Sequence, residues 1–341
     1  MKIAQVAPLW ERVPPFRYGG IELIVGLLTD ELVRRGHEVT LFASGDSITT
    51  ADLKSVHDQA LRLDSNIKEP GLYEQMMLTE VYQNAHCFDI IHSHVGCAAL
   101  PYSSFVKTPT VHTMHGVFTP DNEKMFRRFA SQPYISISEA QREPRLGLNY
   151  IRTVYNGIDT AAYPFVASPV QPPYLAFVGR LSPEKGPIEA IKIALATGYP
   201  LKMAGKVDIV DQIFFQEQIK PLIDGEQIQY LGEVSHEQKV ELLGSASLTL
   251  FPIAWREPFG LVMIESMATG TPVVGTGLGS VPEVIAHEKT GFVCYSLEQV
   301  IEVIPEAMKL ERQVCRDYVV HNFSVQSMTD EYEKAFQSVL T

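Results

Sequence analysis

The sequence predicts an α/β protein with two domains, each built on a doubly wound parallel sheet. Its 341 residues suit two domains at roughly 100–200 residues each. Short apolar, β-branched runs alternate with helical patterns, and strands that are apolar on both faces are typical of parallel sheets covered by helices. Four prolines in residues 161–174 interrupt this alternation and predict a linker. We therefore expect an N-terminal domain (1–160), this linker, a C-terminal domain (175–310) and a helical segment (311–341) that packs back on the N-terminal domain.

The first domain shows one clear helix among its strand-like runs. Strands are expected at 2–7, 38–43, 88–92, 109–114, 133–137 and 151–155. Between the first two strands, a period of 3.6 residues places four apolar side chains on one helical face: Ile21, Ile24, Leu28 and Leu32. The helix should end at the basic pair before Gly36, because basic residues and glycine are typical of helix C-termini.

The second half of the chain repeats this scheme. Its strands are expected at 174–178, 200–204, 227–231, 247–251, 272–274 and 291–294. The helices between them are expected at 184–197, 207–219, 235–245, 259–269 and 280–287, and residues 297–341 are mostly helical in pattern. In parallel sheets of this kind, ligands bind beyond the C-terminal ends of the strands.

Charge and composition exclude several classes of protein. Lys and Arg number 28 against 40 Asp and Glu, a net charge of −12, and general nucleic-acid binding needs a basic surface. No apolar run approaches the ~18–20 residues that span a bilayer, and the N-terminus lacks a signal-peptide pattern. The four cysteines lack metal-site spacing and suggest reduced thiols in a cytoplasmic protein. Peripheral membrane contact stays open, because the basic pair Arg127–Arg128 lies beside Phe126 and Phe129.

The most informative segment is 252–283, where a strand leads through a loop into an apolar helix. Pro258 is expected in the first helical turn, which leaves the N–H groups of Gly260, Leu261 and Val262 at a positive helix end suited to an anion. Glu257 and Glu265 would lie about 12 Å apart if the segment were helical at ~1.5 Å per residue. A glycosidase pair needs roughly 5–9.5 Å, so this spacing instead suits two carboxylates that flank a pyrophosphate. On the residues alone, Glu257 could also be a partner of the helix dipole and Glu265 a residue of a solvated face.

The run from Glu257 to Val274, EPFGLVMIESMATGTPVV, resembles the E-x₇-E signature of retaining nucleotide-sugar glycosyltransferases of family 4, which have the GT-B fold. Three further motifs follow the same family pattern along most of the chain: Gly19-Gly20-Ile21-Glu22, Asn156-Gly157-Ile158-Asp159, and Gly179-Arg180-Leu181 with Lys185-Gly186. The resemblance implies two Rossmann-like domains that face each other across a cleft. It also implies that the first domain binds the acceptor and the second binds the nucleotide sugar.

The residues of the expected site follow from the resemblance and from their chemistry. Arg180 and Lys185 come after the first strand of the second domain, and an Arg fork with a Lys charge suits a phosphate leaving group. The resemblance implies that Glu257 binds the donor sugar and that His115 lines the active site beside it, which completes the catalytic set. It further implies a set of nucleotide-sugar-binding residues: Glu265 for the ribose, Val234 for the base, and Phe259, Gly260, Leu261, Val262, Gly19 and Gly20.

The predicted reaction is transfer of a sugar from a nucleoside diphosphate sugar to an acceptor hydroxyl, with retention of configuration. UDP is the expected nucleotide, with GDP and ADP open, and the acceptor is an unidentified sugar, lipid or small molecule. The chain has no D-x-D motif, so we expect neither a metal ion nor another cofactor. Four aromatic side chains in N-terminal loops could stack on an acceptor: Trp10, Phe16, Tyr18 and Phe118. Acceptor residues are expected in loops near 10–20, 44–80 and 116–130.

Alternatives remain at this point. A nucleotide-sugar 2-epimerase has the same fold, and a non-catalytic protein that binds a sugar nucleotide or glycan would keep the pocket. The histidines His92, His94, His112 and His115 could be interpreted as ligands of a hydrolase metal, although a structural role is the simpler reading for the first three. A hydride-transfer enzyme is disfavoured because the dinucleotide-binding fingerprint is missing. A relative of glycogen phosphorylase is disfavoured by the short chain.

Overall fold

A computed structural model describes residues 1–16 and 19–340, so Tyr18, one of the predicted acceptor aromatics, lies outside the described residues. The chain forms two compact units. Unit 1 contains Met1–Gly157 and the chain from Val325 onward, and unit 2 contains Ile158–Ser324. Each unit is an α/β body with one parallel sheet, as the sequence predicts.

Unit 1 has a seven-stranded sheet in the order β3-β2-β1-β4-β5-β6-β7. Its strands are β1 (Lys2–Val6), β2 (Glu38–Phe42), β3 (Asp52–Lys54), β4 (Ile90–Ser93), β5 (Thr110–Met114), β6 (Tyr134–Ser136) and β7 (Tyr150–Thr153). All neighbouring pairs are parallel. The sequence did not predict β3, because this short edge strand is mostly exposed and so carries no apolar pattern.

The helices of unit 1 are α1 (Gly20–Arg34), α2 (Pro70–Gln83), α3 (Leu100–Ser103), α4 (Asn122–Arg128) and the last helix, α12 (Val325–Leu340). The prediction of a loop over 44–80 is wrong for residues 70–80, because α2 begins at Pro70. Burial of Met77, Leu78 and Val81 against the sheet stabilises this helix. Arg35 fixes α12 to α1 through contacts of 2.6 Å to both Asp330 and Glu333.

Unit 2 has a six-stranded parallel sheet in the order β10-β9-β8-β11-β12-β13. Its strands are β8 (Leu175–Val178), β9 (Leu201–Ala204), β10 (Ile228–Tyr230), β11 (Leu248–Phe251), β12 (Val273–Thr276) and β13 (Gly291–Cys294). Its helices are α5 (Pro187–Thr197), α6 (Gln212–Phe214), α7 (His236–Ser245), α8 (Leu261–Ala268), α9 (Val281–Val284), α10 (Leu297–Ala307) and α11 (Arg312–Asn322).

The helix expected at 207–219 is broken. A 3₁₀ turn at Ile209–Asp211 leads into α6 and then into a π-helical turn at Phe215–Ile219. The adjacent side chains Phe214 and Phe215 both pack on the core, and the wider π turn changes the phase of the helix so that both can do so.

The boundaries of unit 2 enclose the proline-rich segment and α11. Tyr163 and Tyr174, at either end of that segment, are buried in the unit. Arg312, at the start of α11, donates hydrogen bonds to the carbonyls of Val166, Gly244 and Ala246. Of the helices in the described ranges, none is both long enough and apolar enough to cross a membrane. The four cysteines are free thiols.

Candidate functional site

In unit 2, the loops after three adjacent strands are joined by backbone hydrogen bonds. Leu181 donates to the carbonyl of Lys206 (3.0 Å), and Gly205 donates to the carbonyl of Gly232 (2.9 Å). These bonds bring the loops after β8, β9 and β10 together at the C-terminal edge of the sheet. Arg180, which belongs to the first of these loops, therefore lies where parallel sheets bind their ligands.

Lys185 and Glu257 come together although 72 positions separate them. The Lys185 Nζ lies 2.5 Å from the Glu257 Oε2. Gly186 makes this approach possible: it has a left-handed backbone (φ 75°), and a Cβ there would lie 1.9 Å from the Pro252 carbonyl oxygen. Only glycine lets the Lys185 loop lie this close to the loop after β11.

Trp255 holds the same carboxylate. Its Nε1 donates to the Glu257 Oε2 at 2.8 Å, and the Lys185 Nζ lies 4.8 Å from the centre of its ring. Among the described residues, both hydrogen bonds to this side chain end on Oε2. The residue is only 7% exposed, and neither donor contacts its Oε1. One oxygen of Glu257 is therefore held in place while the other can accept a hydrogen bond.

The backbone of Glu257 is also held from a neighbouring loop. The N–H of Ser280 donates to the Glu257 carbonyl (3.0 Å), and its hydroxyl donates to the Phe259 carbonyl (2.7 Å). A Cβ at Gly279 (φ 60°) would lie 2.2 Å from the Glu257 carbonyl oxygen, so only glycine permits this packing. The loop that carries Glu257 is thus fixed from both sides.

Helix α8 begins later than the sequence predicts. Gly260 is its N-cap, with φ 79°, and Leu261 is its first residue. Pro258 therefore lies in the loop and not in the first turn, because the left-handed Gly260 sets the start of the helix. Met263 donates to the Gly260 carbonyl (3.0 Å), whereas the N–H groups of Leu261 and Val262 lie in the first turn, which has no acceptor within the helix.

Glu265 is held in the way that Glu257 is. Its Oε1 accepts from the Tyr163 hydroxyl (2.8 Å) and lies 2.5 Å from the Lys239 Nζ. Burial and the neighbouring Glu265 raise the pKa of Tyr163, so that phenol remains protonated and donates. In the described part of the chain, neither of these bonds ends on Oε2.

Arg180 lies among carboxylates. Its guanidinium contacts Glu184 at 2.8 Å and Asp208 at 3.3 Å, and Lys206 contacts Asp208 at 2.8 Å. Burial alone would raise the pKa of Asp208, but Lys206 and Arg180 hold it below its ordinary value. An anion that binds Arg180 has to compete with these two acids.

Two predicted binding residues share one small apolar cluster. Val234 and Val262 pack, together with Val178, on buried residues around Tyr174 and Leu243. This packing brings the predicted base-binding residue close to the first turn of α8. The side chain of Phe259 is buried against Phe323, with 6.0 Å between ring centres, so this residue can offer a ligand only its backbone.

Unit 1 contains a chain of histidines at the C-terminal edge of its sheet. The His115 Nε2 lies 2.8 Å from the His94 Nδ1, and the His94 Nε2 lies 3.1 Å from the Gln5 Oε1. Because the Gln5 oxygen accepts, His94 carries its proton on Nε2 and accepts from His115 through Nδ1. His115 is then protonated on Nε2, and its Nδ1 is an acceptor. Burial lowers the pKa of His115 to about 4, so this ring is neutral near pH 7.

The other histidines are buried in the unit. The His92 Nε2 lies 2.7 Å from the Thr113 Oγ1, within hydrogen-bond distance. The ring of His92 packs on Tyr332 of α12, with 4.9 Å between ring centres. His112 is fully buried beside Tyr134, and burial lowers its pKa to about 3. No group of three or more metal-ligating side chains occurs among residues 1–16 and 19–340.

The glycine loop of unit 1 contains an unusual carboxyl group. Gly19 is the N-cap of α1, and Gly20 is its first residue. Burial raises the pKa of Glu22, two positions further on, to about 7, with a smaller contribution from the nearby Glu11. A diphosphate is not expected beside such a carboxylate unless the carboxyl group is protonated.

The aromatic side chains proposed for acceptor binding differ in exposure. Trp10 and Phe16 are more than half exposed. Phe118 packs edge-on against Phe126 (5.1 Å), which is buried in the core beside Tyr134. Phe126 therefore cannot contact an acceptor or a membrane surface with its side chain, because its ring fills the core below α4.

Sequence reasoning missed five residues of the site in unit 2: Tyr163, Lys206, Asp208, Lys239 and Trp255. Trp255 could have been found from the sequence, because it is one of only two tryptophans in the chain and lies two positions before Glu257. Lys206 follows β9 at the edge where ligands bind. Tyr163 lies in the predicted linker, Asp208 in a loop and Lys239 in helix α7. In such segments, these residue types do not indicate a site by themselves.

Comparison with known proteins defines the class. Residues 18–162 match the family model described as "Glycosyltransferase Family 4". Residues 162–319 match the model described as "Glycosyl transferases group 1". The fold is GT-B, and its prediction from the sequence is confirmed. The two models together match residues 18–319, and the chain is a glycosyltransferase.

Three known proteins illustrate the similarity. An uncharacterized glycosyltransferase of Methanocaldococcus jannaschii is 26% identical over 98% of this chain and 94% of its own length. The crystal structure of AviGT4, a glycosyltransferase involved in avilamycin A biosynthesis, is 25% identical with a TM-score of 0.74 and covers 100% of this chain and 98% of its own. HepE of Anabaena, solved in complex with UDP and glucose, is 20% identical with a TM-score of 0.75, and the match covers 99% of this chain and 100% of HepE.

Proposed function

We propose that this glycosyltransferase moves a sugar from a nucleoside diphosphate sugar, UDP-sugar first among them, to an acceptor hydroxyl with retention and without a metal ion. One observation carries the proposal: Glu257 and Glu265 are each held through a single oxygen by two donors. Both carboxylates are thus left with one oxygen suited to accept from a hydroxyl group. The first-turn N–H groups of α8, suited to an anion, lie between them in the sequence.

Each part of such a donor finds a suitable group in unit 2. The diphosphate would bind the first turn of α8, where Gly260, Leu261 and Val262 offer N–H groups, together with Arg180 and Lys185. Glu257 would accept from hydroxyls of the sugar. Glu265 would accept from the ribose, and the backbone at Val234 would hold the base. The complex of HepE with UDP and glucose supports UDP as the nucleotide.

The reaction would proceed by attack on the face that the phosphate leaves. The acceptor oxygen forms a bond to the anomeric carbon while the bond from that carbon to the phosphate oxygen breaks. The proton of the acceptor hydroxyl passes to the departing phosphate oxygen. Arg180, Lys185 and the end of α8 stabilise the negative charge that develops there, which is the task a metal ion performs in other transferases.

His115 of unit 1 is proposed as a further catalytic residue. Its neutral ring presents Nδ1 as an acceptor because Nε2 donates to His94. A neutral imidazole can hold a sugar hydroxyl but is not a general acid near pH 7. We therefore assign His115 to orientation of the donor sugar and not to proton transfer.

The experiment that tests the proposal combines binding and turnover. The protein is treated with EDTA, screened by thermal shift against UDP-, GDP- and ADP-glucose, and incubated with candidate acceptors for mass spectrometry of the products. We expect stabilisation by at least one donor, most strongly UDP-glucose, and a product heavier by one hexose. Glu257→Gln should lose transfer, whereas the exposed Glu241→Gln should keep it. Epimerisation of the donor without acceptor, or stabilisation by none of the three donors, would contradict the proposal.

A further inference from the structure

We propose that Tyr163 and Lys239 are positioning residues that orient Glu265 so that one of its oxygens recognises a ribose hydroxyl. The inference rests on the proposed function, because a ribose reaches this site only as part of a nucleotide. It adds two residues that touch no reacting atom and that act through Glu265.

The geometry shows a carboxylate held at one end. The Tyr163 hydroxyl and the Lys239 Nζ both contact Oε1 of Glu265, at 2.8 and 2.5 Å. Glu265 is only 4% exposed, and neither of these bonds ends on its Oε2. With two donors on one oxygen, the carboxylate cannot rotate freely, and the second oxygen is left with its lone pairs available for a ligand.

The two donors are themselves fixed by α7. Lys239 lies one turn after His236 on this helix, and its Nζ lies 6.0 Å from the centre of the Tyr163 ring. His236 packs edge-on against Tyr163 (5.1 Å between centres), and its Nε2 lies 3.1 Å from the Ala162 carbonyl. Ser235 begins α7 with a capping box, which defines where the helix starts.

Charge explains why one of the two donors is a lysine. A buried carboxylate near a diphosphate would suffer like-charge repulsion and the cost of desolvation. Lys239 compensates this charge from the side away from Oε2, while Tyr163 adds a neutral donor that is itself buried. The charge of Lys239 thus offsets that of the Glu265 carboxylate, and hydrogen bonds to a charged carboxylate are the stronger ones.

The test measures discrimination between nucleotides and not activity alone. Dissociation constants are determined calorimetrically for UDP, 2′-deoxy-UDP and 3′-deoxy-UDP with the wild type, Tyr163→Phe, Lys239→Met and Glu265→Gln. The wild type should bind UDP at least about tenfold more tightly than one of the deoxy nucleotides, because a hydrogen bond to a charged group is lost. In all three variants this ratio should fall below about threefold, while the affinity for that deoxy nucleotide changes little.

Matched controls exclude general damage to unit 2. Tyr174→Phe removes another buried hydroxyl, which donates to the Leu242 carbonyl, and Lys309→Met removes an exposed amine. Both controls should keep the wild-type ratio. Lys239→Arg should keep most of it, because the charge and the donor remain.

The outcomes separate the two proposals. If the wild type binds none of UDP, GDP and ADP, the proposed function fails. If it binds UDP without discrimination, or if Tyr163→Phe and Lys239→Met keep the full ratio, the positioning role is wrong while the proposed function stands. An equal loss of affinity for UDP and for the deoxy nucleotides would also overturn the positioning role, since it would indicate only a structural one.

Discussion

Arg180 is paired with Glu184 and Asp208. A diphosphate that binds this guanidinium therefore has to displace these two carboxylates or share the guanidinium with them. We nevertheless expect Arg180→Ala to reduce kcat/KM about hundredfold, or roughly 3 kcal/mol, because the charge on the leaving phosphate loses its main donor fork. Initial rates at varied donor concentration measure this effect. Arg34→Ala, which removes an exposed guanidinium in unit 1, is the control. Wild-type kcat/KM in Arg180→Ala would contradict the assignment.

Trp255 contributes a hydrogen bond and a ring face to the same site. Trp255→Phe keeps a ring near Lys185 but removes the donor to Glu257. We expect kcat/KM to fall about tenfold, since a hydrogen bond to a charged group is worth roughly 1.5 kcal/mol. The affinity for UDP should remain unchanged, because the lost contact concerns the carboxylate assigned to the sugar.

The control for this substitution is Tyr295→Phe, at an exposed aromatic side chain of unit 2 to which no role in the site is assigned. Kinetics with the best donor and calorimetry with UDP distinguish the two effects. Equal losses of UDP affinity and turnover in Trp255→Phe would show that Trp255 acts on the nucleotide and not through Glu257.

At the scale of single residues, the sequence identified the charged groups but not their partners. Glu257, Glu265, Arg180 and Lys185 were selected because their types suit a phosphate and a sugar and because the family resemblance implies those roles. The contacts with Tyr163, Asp208 and Lys239 depend on how distant segments fold together, and no local pattern encodes such pairs. Only the contact of Trp255 with Glu257 is local in the sequence.

Among the elements, the loop between β8 and α5 shows how one glycine positions a catalytic lysine. In Gly186→Ala, the new Cβ would overlap the Pro252 carbonyl oxygen, so the Lys185 loop has to move away from Glu257. We expect a loss of stability of more than about 2 kcal/mol and loss of transfer activity. Thermal unfolding and a transfer assay measure the two effects.

Gly198→Ala provides a closely matched control. Gly198 ends α5 with φ 76°, nearly the value at Gly186, but a Cβ there would meet open space. This substitution should cost only about 1 kcal/mol for the left-handed backbone and should leave transfer intact. If the two variants behaved alike, close packing at Gly186 would not be what positions Lys185.

Strong apolar periodicity predicted most elements, and local conformation decided the exceptions. The sheets were predictable because their strands are apolar on both faces, except for the short, exposed β3. The start of α8 was misplaced because proline favours a first turn, whereas the left-handed Gly260 sets the actual start. Helix α2 was overlooked because the exposed apolar residues Leu72 and Met76 obscure the period of its buried face.

For unit 1 as a whole, stability should depend on pH through four histidines, of which His92, His94 and His112 are buried and His115 is partly buried. Burial lowers the pKa of His112 to about 3 and of His115 to about 4, and it also lowers the pKa of His92 and His94. The unfolded chain binds protons below about pH 6.5 while the folded unit does not, so stability is lost as the pH falls from there. Each such histidine contributes about 1.4 kcal/mol per pH unit.

Thermal unfolding between pH 8 and pH 5 tests this dependence. His112→Phe should reduce the slope of stability against pH by about one proton, while His86→Phe, at an exposed position, should not. Glu22 opposes the trend between pH 7 and pH 4.5, because its raised pKa favours the protonated, folded form as the pH falls. An unchanged slope in His112→Phe would mean that this ring is already charged in the folded protein.

Over the whole molecule, charge does not explain how a diphosphate is attracted. Residues 1–160 carry 15 basic and 18 acidic side chains, and residues 161–341 carry 13 and 22, net −3 and −9. The half that contains the proposed donor site is the more acidic one. Affinity therefore has to come from a few local groups at the end of its sheet, and their loss should weaken binding steeply.

The most direct test of retaining, metal-independent transfer is the anomeric configuration of the product. EDTA-treated protein is supplied with UDP-α-glucose, or the best donor from the thermal-shift screen, and an acceptor that yields a product. Proton NMR then assigns the new glycosidic bond. An α-linked product from an α-linked donor is the predicted result. A β-linked product, or transfer that requires an added divalent cation, would contradict the account.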